Sequence, residues 1–301
     1  MKNFNQVLGV SLLIVLLGKS LGQSQNQAFN DAEKLQLPQS YQINWMSNLN
    51  DNFYLSQLTL PGTHDTMARY GGPAVDCQVW TLEDQLKAGI RYLDLRAFAF
   101  GDSLRLMHGI VYEFSTFKEA LATIKKFLSQ YPTETVLVRV KPELLNKENV
   151  QGLVEQAIYN DQNVWVSSTV PTLGQVRGKV VFVQKDSFRL GLPLVETDTK
   201  GDYEVTHIKH KEQEVSSHLN QALTKCGGSS IILTYSSGTG IGTFEGMFLT
   251  PKRVAEKIDP WLYSYLEVYL NNVPDICFGI IAMDFPGLEL IQAVINFNLQ
   301  L

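Results

Sequence analysis

Short runs of β-branched and aliphatic residues alternate with helix-period segments along almost the whole chain, and this alternation restricts the fold more than any other feature. Runs at 56–60, 91–95, 104–107, 135–140, 179–183, 230–234 and 278–283 are nearly continuously apolar, as strands covered on both faces are. Helical patterns lie between many of them: 82–88, 117–129 with Phe117, Leu121, Ile124 and Leu128 on one face, 150–159, 209–224 and 251–270. A last one follows Pro286, with Leu290, Val294 and Phe297 on one face. Alternation of this kind builds parallel βαβ units. About seven or eight of them in a chain of this length favour an α/β fold, an irregular TIM (β/α) barrel forming a single domain, over an open doubly wound sheet. The irregularity is expected where no helix separates the second and third runs. Segment 186–206, where Gly, Pro, Asp and Thr cluster, is predicted to be a long loop bordering the site.

The first 22 residues combine Lys2 in a short polar start, an apolar stretch from Val7 to Leu17, and small residues at Ser20 and Gly22. That pattern predicts a secretory signal peptide, since the stretch is shorter than the roughly 20 apolar residues a membrane-crossing helix needs. Residues 23–45 read as a polar leader and 46–301 as the barrel. A secreted mature protein can keep disulfides, yet the chain has only 3 cysteines. Cys226 and Cys277 each fall just before a predicted strand, at the bottom of the barrel on neighbouring strands. Strands about 4.8 Å apart suit a disulfide's Cα separation of about 4.4–6.8 Å, so a Cys226–Cys277 bridge and a free Cys77 are expected. A net charge of -5 with scattered Lys and Arg argues against a nucleic-acid partner.

The reactive residues fall at the ends of the runs. His64, Asp94 with Arg96, His108, Lys141, Lys185, Ser236 with Ser237, and Asp284 each follow the apolar part of a different one. In a barrel those ends converge on one mouth, where barrel enzymes keep their chemistry. Two imidazoles and a guanidinium suit phosphoryl transfer: one imidazole takes a proton, the other gives one, and the guanidinium holds the phosphate charge. Asp65 or Asp284 can orient an imidazole, and Asp94, on the same strand face as Arg96, can pair with it and aim it. His207, His210 and His218 sit in a polar helical stretch and read as solvated. The Gly-rich run 236–242 fails the dinucleotide pattern, because Thr243 stands at the third glycine position. It reads as a rim loop whose Ile241, Phe244, Met247 and Phe248 either dip into a lipid interface or pack under the rim.

Leu60-Pro-Gly-Thr-His-Asp-Thr-Met67, Gly89-Ile-Arg-Tyr-Leu-Asp-Leu-Arg96, Leu106-Met-His-Gly109, Phe127-Leu-Ser-Gln-Tyr-Pro-Thr-Glu-Thr135 and Arg177-Gly-Lys-Val180 together resemble the X domain of phosphatidylinositol-specific phospholipases C, especially the secreted bacterial type. The resemblance runs from about Met46 to Phe297. It implies cleavage of phosphatidylinositol, or of its glycosylated anchors, to diacylglycerol and a cyclic inositol phosphate. It further implies His64 as general base oriented by Asp284, His108 as general acid supported by Asp65, and Arg96, held by Asp94, on the phosphate.

In the calcium-dependent animal members, acidic ligands occupy the positions matched here by Arg96 and Lys141. Two cations there repel a Ca²⁺ that wants six to eight oxygens, so the resemblance implies a metal-independent enzyme with no cofactor. Lys141, Lys185, Asp202 and Tyr203 fall where inositol contacts are expected, and Trp80 where a short membrane-interface helix lies. Arg177 is placed at the barrel bottom rather than at substrate. The implied partner is an inositol lipid at a membrane surface, met by a monomer through peripheral contact. Two other readings remain: a metal-dependent glycerophosphodiester phosphodiesterase, and a silent member that binds inositol lipids or glycans. Paired carboxylate ligands for the first are not apparent, and the second has no need of a matched acid and base.

Overall fold

A computed structural model describes residues 28–144, 147–185, 188–199 and 201–299; residues 1–22, expected to be a signal peptide, lie outside them. Strands β1 (Leu60–Thr63), β2 (Tyr92–Phe100), β3 (Ser103–His108), β4 (Val111–Thr116), β5 (Val136–Pro142), β6 (Val164–Trp165), β7 (Val180–Val183), β8 (Leu194–Glu196), β9 (Ile231–Tyr235) and β10 (Ile280–Met283) form one sheet. Its main path runs β6-β7-β5-β2-β1-β10-β9-β8, with every neighbouring pair parallel. The sheet curls into a half-closed barrel, and among the described residues a bridge from Val183 to Leu192 ties its seam, with Leu192 N–H donating to Phe182 O at 2.8 Å. The expected irregular α/β barrel is therefore the fold. Among the described residues no helix is long and apolar enough to cross a membrane.

The helices are α1 (Leu82–Lys87), α2 (Phe117–Gln130), α3 (Lys147–Ala157), α4 (Leu173–Val176), α5 (Ile208–Lys225), α6 (Pro251–Asn272) and α7 (Leu288–Asn296). All but the four-residue α4 fall on the segments of helical period. Thr116 caps α2 in a capping box with Glu119, which satisfies two otherwise orphaned amide donors. The face of α2 that carries Phe117, Leu121, Ile124 and Leu128 is buried.

Three expectations are corrected. The first strand is Leu60–Thr63, whereas Leu55–Gln57 is a 3-10 turn. Pro61 is tolerated in this central strand because the β1–β2 ladder begins only at Gly62 opposite Tyr92, so no ladder bond is lost. Gly62 is required there: a Cβ would meet the Tyr92 ring at 2.7 Å and Ile280 at 3.2 Å. The predicted loop 186–206 contains β8, paired with β9. His218 is buried on α5 with Nε2 3.1 Å from Asp202, not solvated, because α5 turns that face toward Asp198 and Asp202.

The polar leader packs on the barrel from its first described residues. Asn30 N–H donates to Phe285 O at 2.8 Å and Gly287 N–H to Ala28 O at 2.7 Å. Arg177 lies at the bottom, as placed, donating to the carbonyls of Met46, Leu49 and Thr133. Cys226 and Cys277 are bridged with Cα atoms 5.8 Å apart, and Cys77 is free and buried. The bridge closes a separation of 51 residues, so Cys226→Ser together with Cys277→Ser is expected to cost about 2–4 kcal/mol of unfolding free energy. Urea denaturation checks this, and an unchanged midpoint would contradict it.

Candidate active site

β1 ends by delivering His64, and the next residue, Asp65, turns the chain with φ 40°, a left-handed conformation that aspartate tolerates better than most residues. His64 Nδ1 lies 2.9 Å from Asp284 Oδ1, just beyond β10. His64 Nε2 lies 2.8 Å from Arg96 Nη2. A guanidinium only donates, so Nε2 carries the lone pair and the ring proton sits on Nδ1, donated to Asp284. Burial and then the Arg96 charge push the His64 pKa well below its ordinary value, which keeps the ring neutral. Burial pushes the Asp284 carboxyl up.

Arg96 is alternate to Asp94 on β2, so both face the interior. Its Nε pairs with Asp65 Oδ1, its Nη1 lies 3.4 Å from Glu143, and its Nη2 is 3.8 Å from Asp94 Oδ2. Asp65 is thus the tight partner of Arg96, and Asp94 the more distant one. Asp94 also accepts from the Asp65 amide at 3.5 Å and lies 3.6 Å from Arg139.

His108 is not at the end of a barrel strand. β2 and β3 form an antiparallel hairpin with Ala97 opposite Leu106, and the return leg carries His108 back down beside the Arg96 level. Its Nδ1 lies 2.8 Å from Val75 O and its Nε2 3.3 Å from Asp65 Oδ2. Nδ1 therefore donates to the carbonyl, and Nε2 faces the same carboxylate that grips Arg96. Asp65 joins the two histidines and the arginine. Burial pushes its pKa from 3.8 up to about 6, against the opposing pull of Arg96 and His108.

The four residues expected to contact substrate divide. Tyr203 lies with its ring 5.2 Å from that of His64, and half-buried Lys141 has Nζ 4.0 Å from Glu143. Lys185 pairs with Glu196 on β8. Asp202 is turned to the Thr199 amide at 2.6 Å and to His218, so its carboxylate is engaged away from the histidine pair. Ser236 and Ser237 are buried after β9, and neither hydroxyl has a hydrogen-bond partner among the described residues.

On the rim, Phe244 is 89% and Phe248 72% exposed, with Ile241 and Met247 also open. This removes the packed-under-the-rim alternative. Trp80 is corrected: its side chain is 4% exposed and belongs to the main core, because it sits immediately before capped α1 as that short helix packs onto the barrel.

Other positions in the site went unread. Arg139 and Lys141 alternate on β5 and Glu143 keeps the same period one residue past its end, a period-two polar stripe in an apolar strand that marks an inward face. Arg139 meets Tyr235 and Glu196 across the barrel. Gln78 donates to the carbonyls of His64 and Met283 at 2.8 and 2.9 Å. Val75 acts through its backbone carbonyl, for which no side-chain signal exists. Cys77 is buried within 4.8 Å of the ligand atoms of His64 and Asp284, and also of Asp65 and His108. Burial pushes its thiol pKa well up.

The family profile described as Phosphatidylinositol-specific phospholipase C, X domain, matches residues 51–186. The chain is 29% identical over 281 residues to the 1-phosphatidylinositol phosphodiesterase of Listeria monocytogenes, covering 84% of each. It is 30% identical over 158 residues to that of Staphylococcus aureus, a match spanning 47% of this chain and 50% of the other. Superposition on the phosphatidylinositol-specific phospholipase C from Listeria monocytogenes gives a TM-score of 0.73 at 28% identity, covering 85% of this chain and 99% of that one. A Staphylococcus aureus phosphatidylinositol-specific phospholipase C shares the fold, with a TM-score of 0.71 at 20% identity over 85% of this chain and 97% of the other.

Proposed function

Because residues 51–186 match the X-domain profile of phosphatidylinositol-specific phospholipases C and the chain superposes on a bacterial one over 85% of its length, we propose that it is a member of that family, an enzyme cleaving the phosphodiester of phosphatidylinositol or of its glycosylated derivatives. The products are diacylglycerol and a cyclic inositol phosphate. One observation carries this reading: His64, Arg96 and His108 all meet Asp65 within a single cluster. A base, an acid and a cation on one carboxylate suit displacement at one phosphorus centre.

In this reading the phosphate takes the Arg96 guanidinium and frees His64 Nε2 to accept the proton of the attacking inositol hydroxyl. The new imidazolium is held through Nδ1 by Asp284. His108, fixed through Nδ1 by Val75 O, gives its Nε2 proton to the departing diacylglycerol oxygen. Arg96 meanwhile holds the charge that grows on the phosphoryl oxygens. Hydrolysis of the cyclic phosphate uses the same groups with water as nucleophile. Lys141 and Tyr203 flank the headgroup. Phe244, Phe248, Ile241 and Met247 insert into the lipid surface. We further propose a secreted monomer that works without a metal ion, since Arg96 supplies positive charge where a cation would otherwise act.

Phosphorus NMR of the products formed from phosphatidylinositol vesicles in the presence of chelator tests the reading. A cyclic inositol phosphate is expected. An acyclic phosphate formed directly, or turnover that vanishes with chelator and returns with Ca²⁺, would overturn it.

The pH profile follows from Asp65. Above about 6 its carboxylate is ionised and holds Arg96 and His108; below it the proton loosens both, so kcat/KM is expected to fall as pH drops through that value. His64, with its lowered pKa, sets no limb there. Asp65→Asn is expected to lower the plateau and flatten the limb. Folding has the opposite sign. A raised carboxyl contributes stability that is full below 3.8 and lost as pH rises through about 6, so the working form of the site is the less stable one.

A further inference from the structure

We infer that segment 28–30 is a positioning element of the active centre: it locks the turn after β10 so that Asp284 stays aimed at His64. Phe285, the residue after Asp284, has φ 48°. That conformation is uncommon for a bulky side chain, and Pro286 opposes it further by pressing the residue before it toward extended backbone. A residue so placed persists only where its surroundings over-determine it. Here they do. The Phe285 N–H donates to Cys77 O at 3.0 Å, and the Phe285 carbonyl accepts from the Asn30 N–H at 2.8 Å. The Phe29 ring lies 6.2 Å from that of Phe285, and Phe29 forms an antiparallel bridge with Pro286. Gly287 N–H donates to Ala28 O at 2.7 Å.

Cys77 holds one side of the turn and the N-terminal segment holds the other. Asp284 sits between this turn and the β1–β10 ladder, which ends at Met283 opposite Thr63. The strand fixes its backbone on one side, so the turn decides the other. With both fixed, Oδ1 meets His64 Nδ1 at 2.9 Å. A turn that relaxes to extended backbone carries Asp284 with it, and His64 loses the partner that keeps its ring proton on Nδ1. A shift of about 1 Å in a reacting group can cost about 10²-fold in rate. Segment 28–30 acts on the turn and not on Lys141 or Tyr203, so the loss is expected in kcat rather than in KM. The effect on turnover rests on the proposed function; the aim of Asp284 does not.

In the full chain, Asn30→Pro deletes the donating N–H, whereas the conservative Asn30→Ala keeps it. The readout besides turnover is the low-field proton resonance of His64 Nδ1–H, assigned by its absence from His64→Gln. In Asn30→Pro that resonance is expected to weaken or move upfield, and kcat to fall about tenfold with KM little changed. Asn30→Ala is expected to keep both. Phe285→Gly added to Asn30→Pro is expected to recover part of both, because glycine adopts positive φ freely. Phe29→Ala, which leaves the hydrogen bonds, is expected to shift both in the same direction by less, and it decides the matter should Asn30→Pro not fold. A lower melting temperature with unchanged resonance and kcat in Asn30→Pro would reduce the segment to a structural tie and overturn the inference. So would a resonance missing from the unaltered protein, or a double variant with no recovery. Should the resonance respond while lipid cleavage is absent throughout, the positioning role stands and the proposed function falls.

Discussion

His64→Ala is expected to lower kcat on phosphatidylinositol by about 10²- to 10⁴-fold, the usual loss for one positioned proton transfer. The size of the effect follows from how completely the ring is fixed. Nδ1 is held by Asp284 at 2.9 Å and Nε2 faces Arg96 at 2.8 Å, so the base is held at one position and one angle. His108→Ala is expected to fall in the same range. The double variant should cost little more than either single one, because base and acid serve one displacement and their effects do not add. Vesicle turnover measured with folded, soluble variants checks both points, and near-wild-type turnover in either single variant would contradict the proposed reaction.

Glu134→Ala is expected to destabilise the fold by about 3–5 kcal/mol, the cost of leaving a buried charge without its partner. Arg91 and Glu134 are both fully buried, with Nη2 and Nε of Arg91 at 2.7 and 3.0 Å from Glu134 Oε2. The guanidinium also donates to the carbonyls of Leu86, Ile90 and Ile43, so it ties β2, the end of α1 and the N-terminal segment at the barrel bottom. Truncating Glu134 leaves those bonds but removes the countercharge. Thermal unfolding should shift down by roughly 6–20 °C at about 2–4 °C per kcal/mol for a domain of this size. The paired change Arg91→Met with Glu134→Leu should recover much of the loss, because the pair's attraction offsets a large desolvation penalty. A Glu134→Ala protein melting within 2 °C or so of the parent would refute this account of the barrel bottom.

How much could be read in advance depended on the kind of signal. The long helices α2 and α6 were legible because hydrophobic period and caps agree over many residues. The strand β1 was displaced because Pro61 and Gly62 argue locally against a strand, and only the late start of the β1–β2 ladder permits one. β8 was lost in a polar, turn-rich segment, where three residues are too few to show a period. Trp80 was misplaced because its role was carried over from the family resemblance, and a matched position does not say whether an aromatic ring turns to the core or to a lipid surface. Arg139 on β5 and Glu143 just past its end carried a readable alternation, whereas Val75 contributes only a backbone carbonyl.

The sequence by itself determined the α/β alternation, the family resemblance, the cysteine pairing and the identity of the residues gathered at the mouth, because each rests on local period, spacing or side-chain type. Tertiary structure decided who touches whom. The β2–β3 hairpin, rather than a barrel strand, brings His108 beside Arg96. Asp65 rather than Asp94 became the close partner of the guanidinium, and Cys77 was placed beside His64 and Asp284. These outcomes depend on the register of strands distant in the chain and on one left-handed turn at Asp65, and neither leaves a trace in the order of residues alone.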